Sequence, residues 1–282
     1  GPIIPPSIPM VLYALVSKAS IGSLFLAGIL PGLIMGLVLM IMNYYMAGKR
    51  GFAMEDPIPL RELPRKTANA FPALLMPVIL LYGIYGGVTT PTEAAAIAAF
   101  YALLLAGLFY KALSFKALFN VFVESARSSA SVGIVIGGAF ILNFIVISEQ
   151  IPQSIAMLLD GTDVNPIVFL IVVNLLILAL GCILDATTII LVIVPLFIPT
   201  CEVLGIDLVH FGVLVVVNSM IGLITPPYGI LLFVINAVTD IPLREIISEI
   251  WAFLVILIVA LLIMLLVPDL VLWLPRVFGY QG

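Results

Sequence analysis

Charge is what this chain has least of. Only 9% of its 282 residues are Asp, Glu, Lys or Arg, against about a quarter in an ordinary soluble domain. A soluble fold with so few charges has no means of covering its surface, so the solvent for most of the chain is lipid. Histidine occurs once, at His210, and cysteine twice, at Cys182 and Cys201, both in or beside apolar segments. That excludes a disulfide framework and a His/Cys metal cluster. A net charge of −4, thinly spread, excludes the basic surface that nucleic acid requires. A membrane-embedded enzyme needs an acid pair, a nucleophile with its base, or metal ligands. One acid in mid-span and one peripheral His supply none of these.

What the chain has instead is apolar length. Hydrophobic residues make up 63% of it, the mean hydropathy is +1.33, and a helix crosses the hydrocarbon core in roughly 20 apolar residues. The fold class expected is an all-α integral membrane protein. An apolar segment at Gly1–Ala14 is broken by Pro2, Pro5, Pro6 and Pro9, and a full span follows at about Leu24–Met46. The polar loop after it holds Lys49, Arg50, Arg61, Arg65 and Lys66, five of the eleven basic residues, which puts it in the cytoplasm. Spans at about Asn69–Val88 and Thr92–Tyr110 come next. Ser114–Arg127 reads as a separate amphipathic helix lying in the interface, followed by a span at about Ser129–Ile147 in which Gly137-Gly138 suggests close packing. Ser148–Asn165 carries acids and no base, as an outer loop would.

Residues about 166–200 read as a re-entrant hairpin. Two apolar arms, Pro166–Leu180 and Ile189–Pro199, flank a polar tip at Gly181–Thr188. Each arm is about 18–24 Å long at most, short of a full crossing. Such backbone is tolerated at depth only inside protein or beside a water-filled cavity. Another apolar stretch, about 208–238, is broken at Thr225-Pro226-Pro227, and a final span runs from about Ile246 to Leu274.

The broken segments repeat. Gly1-Pro2-Ile3-Ile4-Pro5-Pro6-Ser7 matches Gly222-Leu223-Ile224-Thr225-Pro226-Pro227-Tyr228 at an offset of 221, and Ser20-Ile21-Gly22 is set against Asp240-Ile241-Pro242 in the following loops. An interrupted apolar segment recurring in each half points to a transporter binding site. Parity of the crossings between them inverts the second copy. The expected division is 1–46 as the end of a first inverted repeat, 47–68 as a basic cytoplasmic linker and 69–282 as the second repeat. The first copy of the hairpin is then expected before residue 1, so that the chain reads as a fragment.

Proline lacks an amide donor and crowds the carbonyl four residues back, so Pro226 and Pro227 are expected to free the carbonyls of Gly222 and Leu223. Those oxygens and the Thr225 hydroxyl form a hard-oxygen set suited to a small cation. Gly1, Pro2 and Ser7 are the matching set, and the tip adds Asp185, Thr187 and Thr188. The amino end of the second hairpin arm suits an anion. Asp185 reads either as a helix cap or as a functional intramembrane acid. Thr90-Pro91-Thr92-Glu93 has capping-box spacing. Asn143, Asn174, Asn218 and Asn236 read as interhelical hydrogen-bond partners, with Asn218, a turn before Gly222, the exception most open to a ligand role. His210 reads as interfacial.

Four stretches in this order, Gly1-Pro2-Ile3-Ile4-Pro5-Pro6-Ser7-Ile8-Pro9, Gly87-Val88-Thr89-Thr90-Pro91-Thr92-Glu93-Ala94, Gly181-Cys182-Ile183-Leu184-Asp185 and Gly222-Leu223-Ile224-Thr225-Pro226-Pro227-Tyr228-Gly229, resemble the large membrane subunit of TRAP (tripartite ATP-independent periplasmic) transporters. The resemblance covers the whole chain. It implies an elevator-type carrier of two inverted repeats in the bacterial inner membrane, driven by sodium rather than ATP. It implies organic-acid substrates such as C4-dicarboxylates or sialic acids. The implied partners are a soluble periplasmic binding protein and a small four-helix membrane subunit. Carried onto this sequence, the sodium region is Gly1, Pro5, Pro6, Ser7, Gly181, Asp185, Thr187, Gly222, Thr225 and Pro226, and the substrate contacts are Ser7, Thr187, Thr188, Asn218 and Thr225. No organic cofactor is implied. No Lys or Arg lies inside an apolar span to meet a carboxylate, which leaves helix amino ends and bound sodium. The alternative is a stand-alone sodium/dicarboxylate elevator symporter that needs no binding protein. A non-transporting scaffold would leave the repeated breaks without a role.

Overall fold

The computed structural model describes residues 2–50, 63–150 and 165–282, and the regular structure among them is entirely helical. Among the described residues, four helices are long and apolar enough to cross a bilayer: Ile21–Arg50, Pro91–Phe109, Phe115–Val146 and Leu243–Leu266. Six more are apolar but short, among them Ile8–Ser17, Pro166–Gly181, Leu208–Gly222 and Ile230–Thr239. At about 1.5 Å per residue, none of these four reaches the roughly 30 Å of hydrocarbon.

The chain divides into two compact units, Gly1–Tyr45 with Val132–Gly282, and Met46–Ser131. In the second of these, α3 (Leu63–Tyr85) packs against α4 (Pro91–Leu104). The turn between them works as the capping-box spacing requires. Glu93 accepts from the Thr90 amide at 2.8 Å and gives its own amide to Thr90 Oγ1 at 3.3 Å, while Gly87 supplies a φ of +65°. Across the pair, the Tyr101 hydroxyl donates to the Pro72 carbonyl at 2.8 Å. A π-helical turn at Leu105–Phe109 extends α4.

Helix α5 (Phe115–Ser148) is one continuous helix of 34 residues. The expected interfacial helix at Ser114–Arg127 and the span at Ser129–Ile147 are therefore a single element. Neither Gly nor Pro stands between Arg127 and Val132 to end the helix, and the change from amphipathic to apolar faces is no signal for a break. Nothing lies within 4 Å of a Cβ placed at Gly137 or Gly138, so the packing expected there is not present among the described residues.

The other unit is built around α9 (Leu208–Gly222), thirteen of whose fifteen residues are buried. A helix apolar all round belongs in the middle of a bundle. Against it pack α1 (Ile8–Ser17), α6 (Pro166–Gly181), α11 (Leu243–Leu266) and α12 (Asp269–Val277). Tyr13 of α1 is fully buried and donates its hydroxyl to the Leu208 carbonyl at 2.6 Å. Its ring lies over Gly212, where a Cβ would come within 2.8 Å of the ring's Cζ. Ser17–Ser20 and Gly205–Val209 line one cavity of about 500 Å³ at this end of the pair, so α1 runs antiparallel to α9.

The final apolar stretch is divided in two, α11 ending at Leu266 and α12 beginning at Asp269. Pro268 ends α11 and cannot bond the carbonyl of Met264 four residues earlier. His210 answers that carbonyl, its Nε2 lying 3.0 Å away. A carbonyl only accepts, so Nε2 carries the proton. His210 is 3% exposed and packs inside the bundle near the start of α9.

Helix α2 (Ile21–Arg50) presents Gly28, Gly32 and Gly36 along one side. A Cβ at Gly28 would stand 2.6 Å from the Ile3 carbonyl, whereas one at Gly36 would meet nothing within 4 Å. Gly28→Ala is expected to destabilise by about 1–3 kcal/mol through overpacking, and Gly36→Ala to be neutral or slightly stabilising. Thermal melting of the two purified variants in detergent checks the difference.

Candidate functional site

The hairpin and the broken helix of the sequence are both present as interruptions of helical structure. Helix α6 stops at Gly181, and the chain turns through Cys182–Asp185. The second arm starts as α7 (Ala186–Thr188) and winds on through a π turn at Ile189–Ile193 and a 3-10 turn at Val194–Leu196 to α8 (Ile198–Val203). Helix α9 stops at Gly222, and α10 (Ile230–Thr239) follows after a non-helical link.

These two stops meet. A Cβ on Gly222 would lie 2.7 Å from the Cα of Gly181 and 2.8 Å from its carbonyl carbon. Only two glycines allow backbones so close. Two helix carboxyl ends, each with a partial negative charge, thus stand side by side inside an apolar bundle. One to two turns back, Asn218 donates its amide to the Asn174 carbonyl at 2.6 Å and to Asn174 Oδ1 at 2.9 Å. Asn174 in turn donates to the Leu170 carbonyl at 2.8 Å. The interhelical reading of these two asparagines holds. Two further oxygens here, Asn218 Oδ1 and Ser219 Oγ, are fully buried and have no hydrogen-bond partner. Ser219 escaped the sequence reading because a lone Ser in an apolar helix ordinarily bonds back to its own turn.

The expectation of freed carbonyls needs correction. The Gly222 carbonyl accepts from the Thr225 amide at 2.9 Å, and the Leu223 carbonyl from the Leu231 amide at 3.1 Å. A tight turn takes up what Pro226 and Pro227 release, because buried backbone acceptors are costly without donors. Each carbonyl keeps a second lone pair. Thr225 donates to the Ile221 carbonyl at 2.7 Å, so its oxygen also keeps acceptor capacity.

Asp185 is a cap. Its Oδ2 accepts from the amides of Thr187 at 2.8 Å and Thr188 at 3.2 Å, and its Oδ1 from the Thr188 hydroxyl at 2.5 Å. The carboxylate therefore turns onto its own arm. Ser7 caps α1 more weakly, accepting from the Met10 amide at 3.4 Å, and is 2% exposed. Pro5 is buried beside it and Pro6 exposed. Gly1 lies outside the described residues.

The residues that precede the two Pro-Pro pairs share a cavity. Ile3 and Ile4, just before Pro5, line a cavity of about 240 Å³ together with Met220 and Ile221, just before the second break, and Gly32 and Leu257. Helix α1 also packs against the start of the second hairpin arm. Locally the two breaks are alike. The Pro5–Pro6 and Pro226–Pro227 peptides are both cis, and each break leads into a ten-residue helix closed by a left-handed residue, Lys18 (φ 59°) or Asp240 (φ 56°). The caps correspond at an offset of 222, one more than the Pro-Pro pairs, so Ser20-Ile21-Gly22 does not align with Asp240-Ile241-Pro242.

A family model described as "Tripartite ATP-independent periplasmic transporter, DctM component" matches residues 1–270. The sialic acid TRAP transporter large permease protein of Vibrio cholerae is 40% identical over 99% of the chain, and the C4-dicarboxylate TRAP transporter large permease protein of Pseudomonas aeruginosa is 41% identical over 99%. The 2,3-diketo-L-gulonate TRAP transporter large permease protein of Escherichia coli is 33% identical over 96%. The chain spans just under two thirds of the length of each: 66%, 65% and 64%.

The Gly181–Gly222 contact sets an expectation. Gly222→Ala drives a methyl into backbone, which cannot rotate aside, and costs about 1–3 kcal/mol. Gly107→Ala, where a Cβ meets only a Leu113 methyl at 3.9 Å, is expected to be silent. Melting temperatures, with substrate uptake by the full-length subunit beside them, distinguish the two.

Proposed function

The chain belongs to the DctM component family of tripartite ATP-independent periplasmic transporters, and on that premise we propose that it is the greater part of a large permease subunit that imports organic acids against their gradient by coupling them to sodium. It is a multi-pass protein of the inner membrane, and its relatives are permease subunits, not enzymes. In the proposed assembly a soluble periplasmic binding protein delivers the substrate, and a small four-helix membrane subunit completes the complex. Sialic acid, C4-dicarboxylate and diketogulonate in the names of its relatives all carry carboxylate, which supports a carboxylate as cargo.

One observation carries the sodium reading: two helix carboxyl ends held together at Gly181 and Gly222, with a Thr225 hydroxyl beside them that donates inward and keeps its lone pairs free. Neutral oxygens at the negative ends of helix dipoles suit a small hard cation. Gly181, Gly222 and Thr225 are the proposed ligands on this side, and the Pro5–Ser7 break, whose preceding residues Ile3 and Ile4 share the 240 Å³ cavity with Met220 and Ile221, contributes the other. The substrate carboxylate then meets bound sodium, the start of the second arm at Thr187 and Thr188, where the Thr187 hydroxyl is the contact because Asp185 already takes the amides, and Ser7 at the start of α1. Asp185 holds that start in shape through its cap and does not itself bind the cation. The broken segments, carried as two inverted repeats, move together past the remaining spans in an elevator motion.

Uptake into proteoliposomes tests the whole reading. The full-length subunit with its small partner is expected to accumulate substrate only when an inward sodium gradient and the soluble binding protein are both supplied. Sodium dependence without need of the binding protein would instead favour a stand-alone symporter. Thr225→Ala removes one ligand and is expected to raise the sodium concentration for half-maximal uptake by about tenfold, the equivalent of roughly 1.4 kcal/mol. An unchanged sodium curve would remove Thr225 from the set.

A further inference from the structure

We propose that Asn174 and Asn218 form a register clamp: a pair of positioning residues that holds the Gly181 end of α6 level with the Gly222 end of α9 and so sets the sodium affinity of the junction between them. The inference rests on the sodium reading above and adds to it two residues that do not themselves touch the ion.

Helices α6 and α9 pack along apolar faces. Among the described residues, the hydrogen bonds from Asn218 to the Asn174 carbonyl and to Asn174 Oδ1 are the only ones that cross between them. An apolar face alone discriminates poorly between registers one turn, about 5.4 Å, apart. A buried polar pair discriminates strongly, because a slip leaves its groups without partners. Asn174 is 6% exposed and Asn218 fully buried. Their arrangement is directional as well as buried. The Asn174 amide is anchored to the Leu170 carbonyl, which turns its own oxygen and the adjacent backbone carbonyl toward a single donor, the Asn218 amide. Seven residues separate Asn174 from Gly181 and four separate Asn218 from Gly222. The clamp thus lies within about 11 Å of the junction along rigid helix, near enough to fix the spacing of the two carboxyl ends.

The pair costs burial of polar atoms. Asn218 Oδ1 lacks a partner, and a matched apolar pair of similar volume is usually no less stable. That cost is the signature of a device for specificity rather than for stability, and it makes a clean test possible. Asn174→Leu/Asn218→Leu keeps the volume and the apolar packing and removes only the register bond.

The experiment measures the melting temperature of the full-length subunit in detergent across sodium chloride concentrations, with choline chloride holding ionic strength constant. Wild type is expected to rise in melting temperature with sodium by mass action. The double variant is expected to melt in choline at or above the wild-type temperature, with its sodium midpoint raised about tenfold. In proteoliposomes its sodium concentration for half-maximal uptake is expected to rise by the same factor. A sodium midpoint equal to that of wild type overturns the clamp while leaving the sodium reading standing. Wild type with no sodium response in either assay overturns the sodium reading, and the clamp falls with it. If the double variant fails to assemble, Asn218→Ser, which is too short to reach Asn174, carries the same two outcomes.

Discussion

In hydrocarbon there is no water to receive a backbone group left over by a broken helix, and this chain breaks its helices repeatedly. Three of the interruptions described above are accompanied by the groups that answer them. Pro226 and Pro227 release two carbonyls, and the amides of Thr225 and Leu231 take them. Pro268 releases the Met264 carbonyl, and His210 reaches it from another helix. The exposed amides at the start of the second hairpin arm are gathered by Asp185. At these three places the irregular backbone is built structure, and of the four buried side-chain oxygens without a partner among the described residues, at Thr89, Thr200, Asn218 and Ser219, the last two lie near the Gly181–Gly222 contact.

Helix ends are what this arrangement brings to the middle of the membrane. Short helices cannot cross, so their termini fall at depth. Carboxyl ends meet at Gly181 and Gly222, while the second arm and α1 present amino ends close by. Partial charges of both signs are thus available without a Lys or Arg at the Gly181–Gly222 contact, as the proposed site for a cation and a carboxylate requires.

Much of this was legible in the sequence. The Pro-Pro pairs and the Gly181–Thr188 tip located the breaks near Gly222 and Gly181 to within a residue or two, because proline and glycine act locally, whereas the break at Pro268 inside the expected final span was missed. The capping roles of Glu93 and Asp185 were likewise local. What escaped was decided by tertiary contact. No pattern in α9 says that His210 will lie under the Met264 carbonyl. The partners of the Gly222 and Leu223 carbonyls follow from the path of the turn. The continuity of α5 escaped for a different reason: amphipathic and apolar stretches were read as separate helices although neither Gly nor Pro divides them. Ser219 carried no signal at all.

The contact of Gly181 with Gly222 also limits how the protein can vary. A crowded pair of side chains can drift, since growth on one side is relieved by shrinkage on the other. Here each partner is already hydrogen, so no substitution at one position can compensate for a change at the other. The junction is a dead end for epistatic repair, and the two positions can only be kept together. Met220 and Leu257, which line the 240 Å³ cavity, have no such bond to each other and are free to exchange volume, so the wall of that cavity can diversify while the glycine contact stays unaltered.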